Sequence, residues 1–189
     1  MKAMYRILFS FVLLLIASSS ISLAQELEPP SPGKAKVYFV RFSGTGALIN
    51  FKYFHGDEYL GKFSGVNYFI YETDPGQHLF WVGAENREFL EANLEADQVY
   101  VVEVRPTMGA FKAAVKLLAV APNDLKTVEK IKKALGKKPP IELDKADFSD
   151  EAESLDFYIA NGLKKYETNK AEGKPMSQLL PEHSFTKKP

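Results

Sequence analysis

The sequence predicts an all-β fold: an antiparallel β-sandwich of about seven or eight strands, followed by a two-helix C-terminal extension. Three observations carry that expectation. Residues 34–122 hold 16 of the chain's 24 aromatic side chains. Turn-forming residues interrupt this stretch roughly every eight to twelve positions, the spacing of short strands joined by tight connections. A 3.6-residue apolar period is absent until after Pro122. Strands that follow one another so closely pair antiparallel, because a parallel crossover takes about a dozen residues or more.

The chain of 189 residues carries 24 basic and 24 acidic side chains and no cysteine. Balanced charge supplies no chain-wide field for a polyanion, so no nucleic-acid partner is expected. A hydrophobic content of 46% is too high for a disordered chain, and disulfide scaffolds and cysteine-ligated metals are excluded. At the N-terminus Lys2 and Arg6 precede an apolar run from Ile7 to Ala17. The run is short of the roughly 20 residues that span a bilayer and sits where the apolar region of a secretory signal sits. Ser22 and Ala24 are small enough for a signal peptidase, which predicts a signal peptide over 1–24 cut between Ala24 and Gln25; the alternative is an uncleaved anchor. Export to a periplasm or to the medium follows, with no membrane span left after cleavage. Loss of Lys2 and Arg6 leaves 22 basic groups against 24 acidic ones.

Residues 25–33, with Pro29, Pro30 and Pro32, predict an extended tether. Ala35 to Ser43 places Val37 and Phe39 on one face and Tyr38, Val40 and Phe42 on the other, a central strand covered on both sides. Leu48 to Phe54 and Glu58 to Phe63 flank His55-Gly56-Asp57, a hairpin turn in which glycine takes positive φ. Val66 to Thr73 is an aromatic strand. Asp74-Pro75-Gly76-Gln77 ends it, proline presetting one corner and glycine tolerating the next. Gln77 to Gly83 and Arg87 to Leu94 follow. Glu95 to Gln98 turns the chain into Gln98 to Arg105, where Tyr100, Val102 and Val104 alternate with Val101, Glu103 and Arg105. Ala110 to Val120 closes a domain that spans 34–122, with Phe111, Ala113, Val115 and Leu117 opposite Lys112 and Lys116.

A helical extension occupies 123–171. Asn123 or Asp124 caps a helix whose apolar stripe is Leu125, Val128, Ile131 and Leu135, stopped by Gly136. Lys137-Lys138-Pro139-Pro140 breaks the chain. A second helix is predicted from Ser149 to Ala171, with Asp150 and Glu151 in its first turn and Leu155, Ile159, Leu163 and Tyr166 on one face. Gly162 weakens it by about 1 kcal/mol relative to alanine. Residues 172–189 show no period and predict a loose tail.

Several of these stretches carry a family resemblance: Lys34-Ala35 before Val37-Tyr38-Phe39 and Arg41, Gly56-Asp57 before Leu60-Gly61, Pro75-Gly76-Gln77-His78, and Leu94-Glu95-Ala96 before Tyr100. Over 34–122 the chain resembles the bacterial family catalogued as domain of unknown function twenty-eight forty-six, found in exported proteins and lipoproteins. It is also similar to the PEGA-like and transthyretin-like small sandwiches of cell envelopes. The resemblance implies a sandwich in an envelope setting and brings no catalytic residues. The lipidation cysteine of many such relatives is absent here, and the extension from Asn123 onward matches no familiar pattern.

Candidate chemistry is sparse. His55 beside Asp57 and Glu58 sits at a hairpin tip, where solvation leaves little to tune a pKa. His78 shares a strand face with Phe80 and Val82 and is expected to bond backbone through a ring nitrogen. His183 falls in the predicted tail. A nucleophile elbow, a phosphate-binding glycine loop after Gly44-Thr45-Gly46 and a facing carboxylate pair at Glu88 and Glu91 are all unsupported, so no catalytic residue, metal site or cofactor is assigned. Tyr53, Tyr59, Tyr68, Tyr71 and Trp81 exceed what two buried faces need. Either they are core and cross-strand pairs, or exposed rings among them, with Trp81, Tyr68 and Tyr71 foremost, stack on sugars or anchor a protein. Lys126, Lys130, Lys132, Lys133, Lys137 and Lys138 form a local basic run, read as a solvated helix face or as a weak attraction to anionic lipid or peptidoglycan. The expected function is that of a non-enzymatic exported envelope protein whose sandwich binds an envelope protein or glycan. The alternatives are a carbohydrate-binding accessory module and, more remotely, a hydrolase of envelope polymers.

Overall fold

The computed structural model describes residues 27–44, 46–109, 113–150 and 153–186. The apolar N-terminal run, the Ala24–Gln25 junction, Thr45, residues 110–112 of the eighth predicted strand and Glu151 lie outside them. The described elements are β1 (Ala35–Arg41), β2 (Phe51–His55), β3 (Glu58–Phe63), β4 (Asn67–Thr73), β5 (Gly76–Gly83), β6 (Arg87–Leu94), β7 (Val99–Met108), β8 (Ala113–Ala119), α1 (Leu125–Leu135), α2 (Leu155–Ala171) and β9 (Ser177–Leu179). Two sheets pack face to face: a four-stranded one in the order β4-β1-β7-β8 and a five-stranded one in the order β3-β2-β5-β6-β9. Pairing is antiparallel except between β1 and β7 and between β6 and β9. The first exception is allowed because the chain builds β2, β3, β5 and β6 of the second sheet between the two strands.

Alternation along each strand divides the side chains between layers. Val37 and Phe39 of β1, Phe51 and Tyr53 of β2, Phe80 and Val82 of β5, and Tyr100, Val102 and Val104 of β7 point between the sheets and form the main core. Phe39 stacks on Phe69 across the β1–β4 pair, with ring centroids 4.8 Å apart. The opposite phase of β1, Tyr38 and Val40, meets Val128 and Ile131 of α1 on the outer face of the four-stranded sheet. Asp124 caps this helix by accepting from the Thr127 N–H. On the outer face of the five-stranded sheet, Phe54, Tyr59, Trp81 and Phe89 pack with Tyr158 of α2. Both faces are therefore dry, as the two-sided burial of β1 predicts.

The extension departs from expectation at both ends. The second helix starts at Leu155, capped by Ser154, and residues 139–150 instead form a strap along the open edges of β3 and β4. The Ile141 N–H donates to the Tyr68 carbonyl of β4. Tyr59 Oη donates to Asp147, and Lys52 pairs with Asp150, both at 2.8 Å, from β3 and β2. The predicted loose tail is also ordered: β9 adds to the edge of β6, Leu179 is fully buried, and the Phe185 N–H donates to the Val99 carbonyl at 2.8 Å. A three-residue strand has no period to read, and the edge of β6 supplies its register. The predicted tether likewise lies on the sandwich. Leu27 is buried, the Glu28 N–H donates to Tyr38 Oη at 3.0 Å, and Lys36 Nζ donates to the Pro29 carbonyl at 2.6 Å. From α1 on one face, past the strap edge, to α2 on the other face, then along β9 and back to Val99, the extension encircles the sandwich. Among the described residues no helix is long and apolar enough to cross a membrane.

Candidate functional site

The two ends of the sandwich differ in chemistry. At the end where β2 stops and β5 begins, inward-facing polar groups fill the gap between the sheets. His55 Nδ1 lies 2.9 Å from Tyr71 Oη of β4, and His55 Nε2 lies 2.9 Å from His78 Nδ1. His78 Nε2 lies 2.8 Å from the Asp74 carbonyl, and Tyr71 Oη donates to Glu58 at 3.2 Å. Lys145 of the strap closes the far end on Glu58. The His55 ring stacks on Phe80 at 4.9 Å, so this histidine is wedged inside the end of the barrel-like gap and not solvated at a hairpin tip as the sequence suggests. His78 bonds the backbone, as expected.

Counting protons defines what this chain of contacts can do. The Asp74 carbonyl only accepts, so His78 Nε2 carries hydrogen. Lys145 holds the Glu58 carboxyl below the usual carboxylate range, so it too accepts and takes the Tyr71 hydrogen. The 2.9 Å contact between His55 Nε2 and His78 Nδ1 takes one hydrogen. Hydrogen on both nitrogens would set N–H against N–H, so a fully protonated pair does not fit this arrangement. Burial first, then the charge of His78, lowers the pKa of His55 against the pull of Glu58 and Asp57. Burial and the neighbouring Glu58 push the Tyr71 hydroxyl up to about 12. The cluster's one hydroxyl is made less acidic, the opposite of an activated nucleophile.

The aromatic candidates do not form an exposed platform. Trp81 is 0% exposed, stacked on Phe54 at 3.7 Å and roofed by Gly162 of α2, with its indole N–H donating to the Gly56 carbonyl. Tyr68 is buried beside Tyr38, Tyr53 and Tyr59 are buried in the core layers, and Tyr71 is half-buried in the histidine cluster. Of the two readings, that of core and cross-strand pairs holds at Trp81 and Tyr68, because the extension supplies a third and a fourth layer that need apolar partners. Among the described residues no group of three or more His, Asp or Glu side chains could hold a metal ion.

At the opposite end lie the loop from Phe42 to Asn50, the β3–β4 turn and the end of the β7–β8 pair. Arg41, on the inward phase of β1 and fully buried, organises it. Its Nη1 donates to the Ile49 carbonyl at 2.9 Å, its Nη2 donates to the Gly46 carbonyl at 2.6 Å, and the guanidinium lies 4.4 Å from the Phe51 ring centre. The turn it clamps abuts Ala113 and Gly65. On that turn Leu48 is 95% exposed, and Met108, paired with Ala113, is 93% exposed. Sequence reasoning passes over Met108 and starts a strand at Leu48, whereas the strand begins at Phe51 and Leu48 belongs to the loop. Arg41 leaves a trace as a charge on the phase of β1 that Val37 and Phe39 otherwise hold. The chain matches no family model, no curated protein and no solved structure.

Proposed function

We propose that this chain is an exported, non-enzymatic interaction module of a cell envelope, with the sandwich as a rigid mount and the loop end as the contacting surface. One observation carries the reading. The chain's own extension covers both outer sheet faces, while Leu48 and Met108 stand almost wholly in water on one end. Apolar side chains held out on loops by a rigid framework are a common form of binding surface. The charged start, the apolar run and the small residues before Gln25 support export, and the resemblance to exported envelope sandwiches agrees with it. The histidine cluster supports the non-enzymatic side, since its contacts end on a main-chain carbonyl and on a lysine-paired carboxylate and join β4 to β2 and β5.

Two measurements test the proposal. N-terminal sequencing of protein recovered outside the cytoplasm should begin at Gln25. A photoreactive side chain placed at position 48 or 108 should form cellular adducts that one at Phe157, itself exposed on α2, does not form. Equal labelling from all three positions would remove the loop end from its role.

A further inference from the structure

We infer that the loop end, together with the C-terminal half of α1, docks on a bilayer carrying anionic phospholipid. The inference rests on the reading above that the loop end is the contacting surface, and it names the partner. Lys126, Lys130 and Lys133 follow one another at four and three residues, and Lys137, just past the helix, continues the line. At about 100° per residue these four fall within an arc of about 60°. They lie opposite Val128, Ile131 and Leu135, the side on which α1 packs. Among the described residues Lys126, Lys133 and Lys137 form no ion pair, whereas Lys132, off this line, approaches Glu129 at 3.8 Å. Asp124 offsets the N-terminal end only.

Lys130, Lys133 and Lys137 line a hollow of about 410 Å³ with Phe42, Ser43 and Val66. Phe42 and Ser43 directly follow β1 and Val66 directly precedes β4, so the hollow opens at the loop end. The β1–β7 register stops at Val40 opposite Glu103, and β7 runs on to Met108, which carries Met108 past the end of β1 to the loop that bears Leu48, since Gly46 of that loop abuts Ala113, the partner of Met108. Cations and projecting apolar side chains thus share one end. A soluble polyanion would use the lysines and have no use for Leu48 and Met108, whereas a membrane surface attracts the first and takes up the second. The balanced net charge is no obstacle, because salt confines the attraction to within about 10 Å of the patch.

The test is cosedimentation of the purified protein with phosphatidylcholine vesicles, with and without phosphatidylglycerol. Any retained N-terminal apolar segment would bind both kinds alike, so the difference between them is the readout. Expected is binding that needs phosphatidylglycerol and weakens in high salt. The combined change Lys130→Glu, Lys133→Glu and Lys137→Glu should lower affinity by about a hundredfold or more, at about 1 kcal/mol for each lysine lost. Leu48→Ser with Met108→Ser should lower it about tenfold with unchanged thermal stability. No preference for phosphatidylglycerol overturns the inference, as does binding that survives the lysine changes. Lysine-dependent binding that ignores Leu48 and Met108, or that heparin reproduces without vesicles, overturns it in favour of a soluble polyanion. A protein that fails here yet still begins at Gln25 and crosslinks a protein through position 48 keeps the broader proposal and loses the lipid.

Discussion

His55 makes the pH dependence of this fold predictable in sign. Its folded pKa is lowered, so the folded state binds that proton less readily than the unfolded chain, where the value is about 6.5. The stability it contributes is complete above that value and is lost as pH falls through the lowered one. Urea midpoints should therefore drop on acidification from neutrality, before the carboxylates titrate, and His55→Gln should flatten the drop while keeping a donor and an acceptor. A midpoint that rises over the same interval would contradict the lowered pKa of His55. Tyr53 offers a second case. Its hydroxyl is buried with no partner among the described residues, so Tyr53→Phe should leave stability unchanged or raise it by up to about 1 kcal/mol in the same assay. Arg41→Ala, which strips two loop carbonyls of their donor, should cost about 3 kcal/mol and expose 46–49 to proteolysis. None of these roles is legible residue by residue. His55 and His78 stand 23 positions apart, and only the inward phase they share with Tyr53 and Phe80 hints that they meet. Whether a ring faces solvent depends on what the rest of the chain lays over it, and that is why Trp81 reads as a candidate ligand site and turns out to be core.

Strands proved the most legible elements. β3 and β6 occupy the residues predicted for them, because turn chemistry such as that at Gly56 before β3 acts locally. The start of α2 was not legible. Asp150 has the charge of a helix start, but Lys52 of β2 takes it in an ion pair and the helix waits for the Ser154 cap. Nor does its buried line follow the apolar stripe: Tyr158 and Gly162 lie deepest, with Leu155 and Ile159 at the sides. Gly162 explains the difference. A Cβ there would sit 2.5 Å from Trp81, so the glycine is the site of closest approach of helix to sheet and not a flaw in the helix. Gly162→Ala should raise intrinsic helix propensity by about 1 kcal/mol and still destabilise the protein by about 1–3 kcal/mol. Differential scanning calorimetry would show it as a lowered Tm, and a raised Tm would mean that α2 floats free of Trp81.

At the scale of the molecule the sandwich and its extension share their cores. Tyr158 stacks in the same column as Phe54 and Trp81, and Leu179 belongs to the main inter-sheet cluster. The protein should accordingly unfold in one transition. A chain ending at Ala171 should lose several kcal/mol from the burial of Leu179 and Phe185 alone, at about 1.5–3 kcal/mol for each large apolar side chain. It should also self-associate through the bared edge of β6, seen as a second species in size-exclusion chromatography. Two separate transitions, or a monomer as stable as the whole chain, would show the tail to be ornamental.

The encircling extension also gives assembly a direction. β1 has no neighbour on its β7 side until β2, β3, β5 and β6 have been made, α1 has no floor until β1 and β7 are joined, α2 needs Trp81 already in place, and Phe185 reaches Val99 only when the circuit is complete. Each stage rests on residues nearer the N-terminus, the order in which a ribosome or an export channel releases them. Phe185 is the latch, so a chain cut before it is left open, and the contact of Phe185 with Val99 reports whether the circuit was closed.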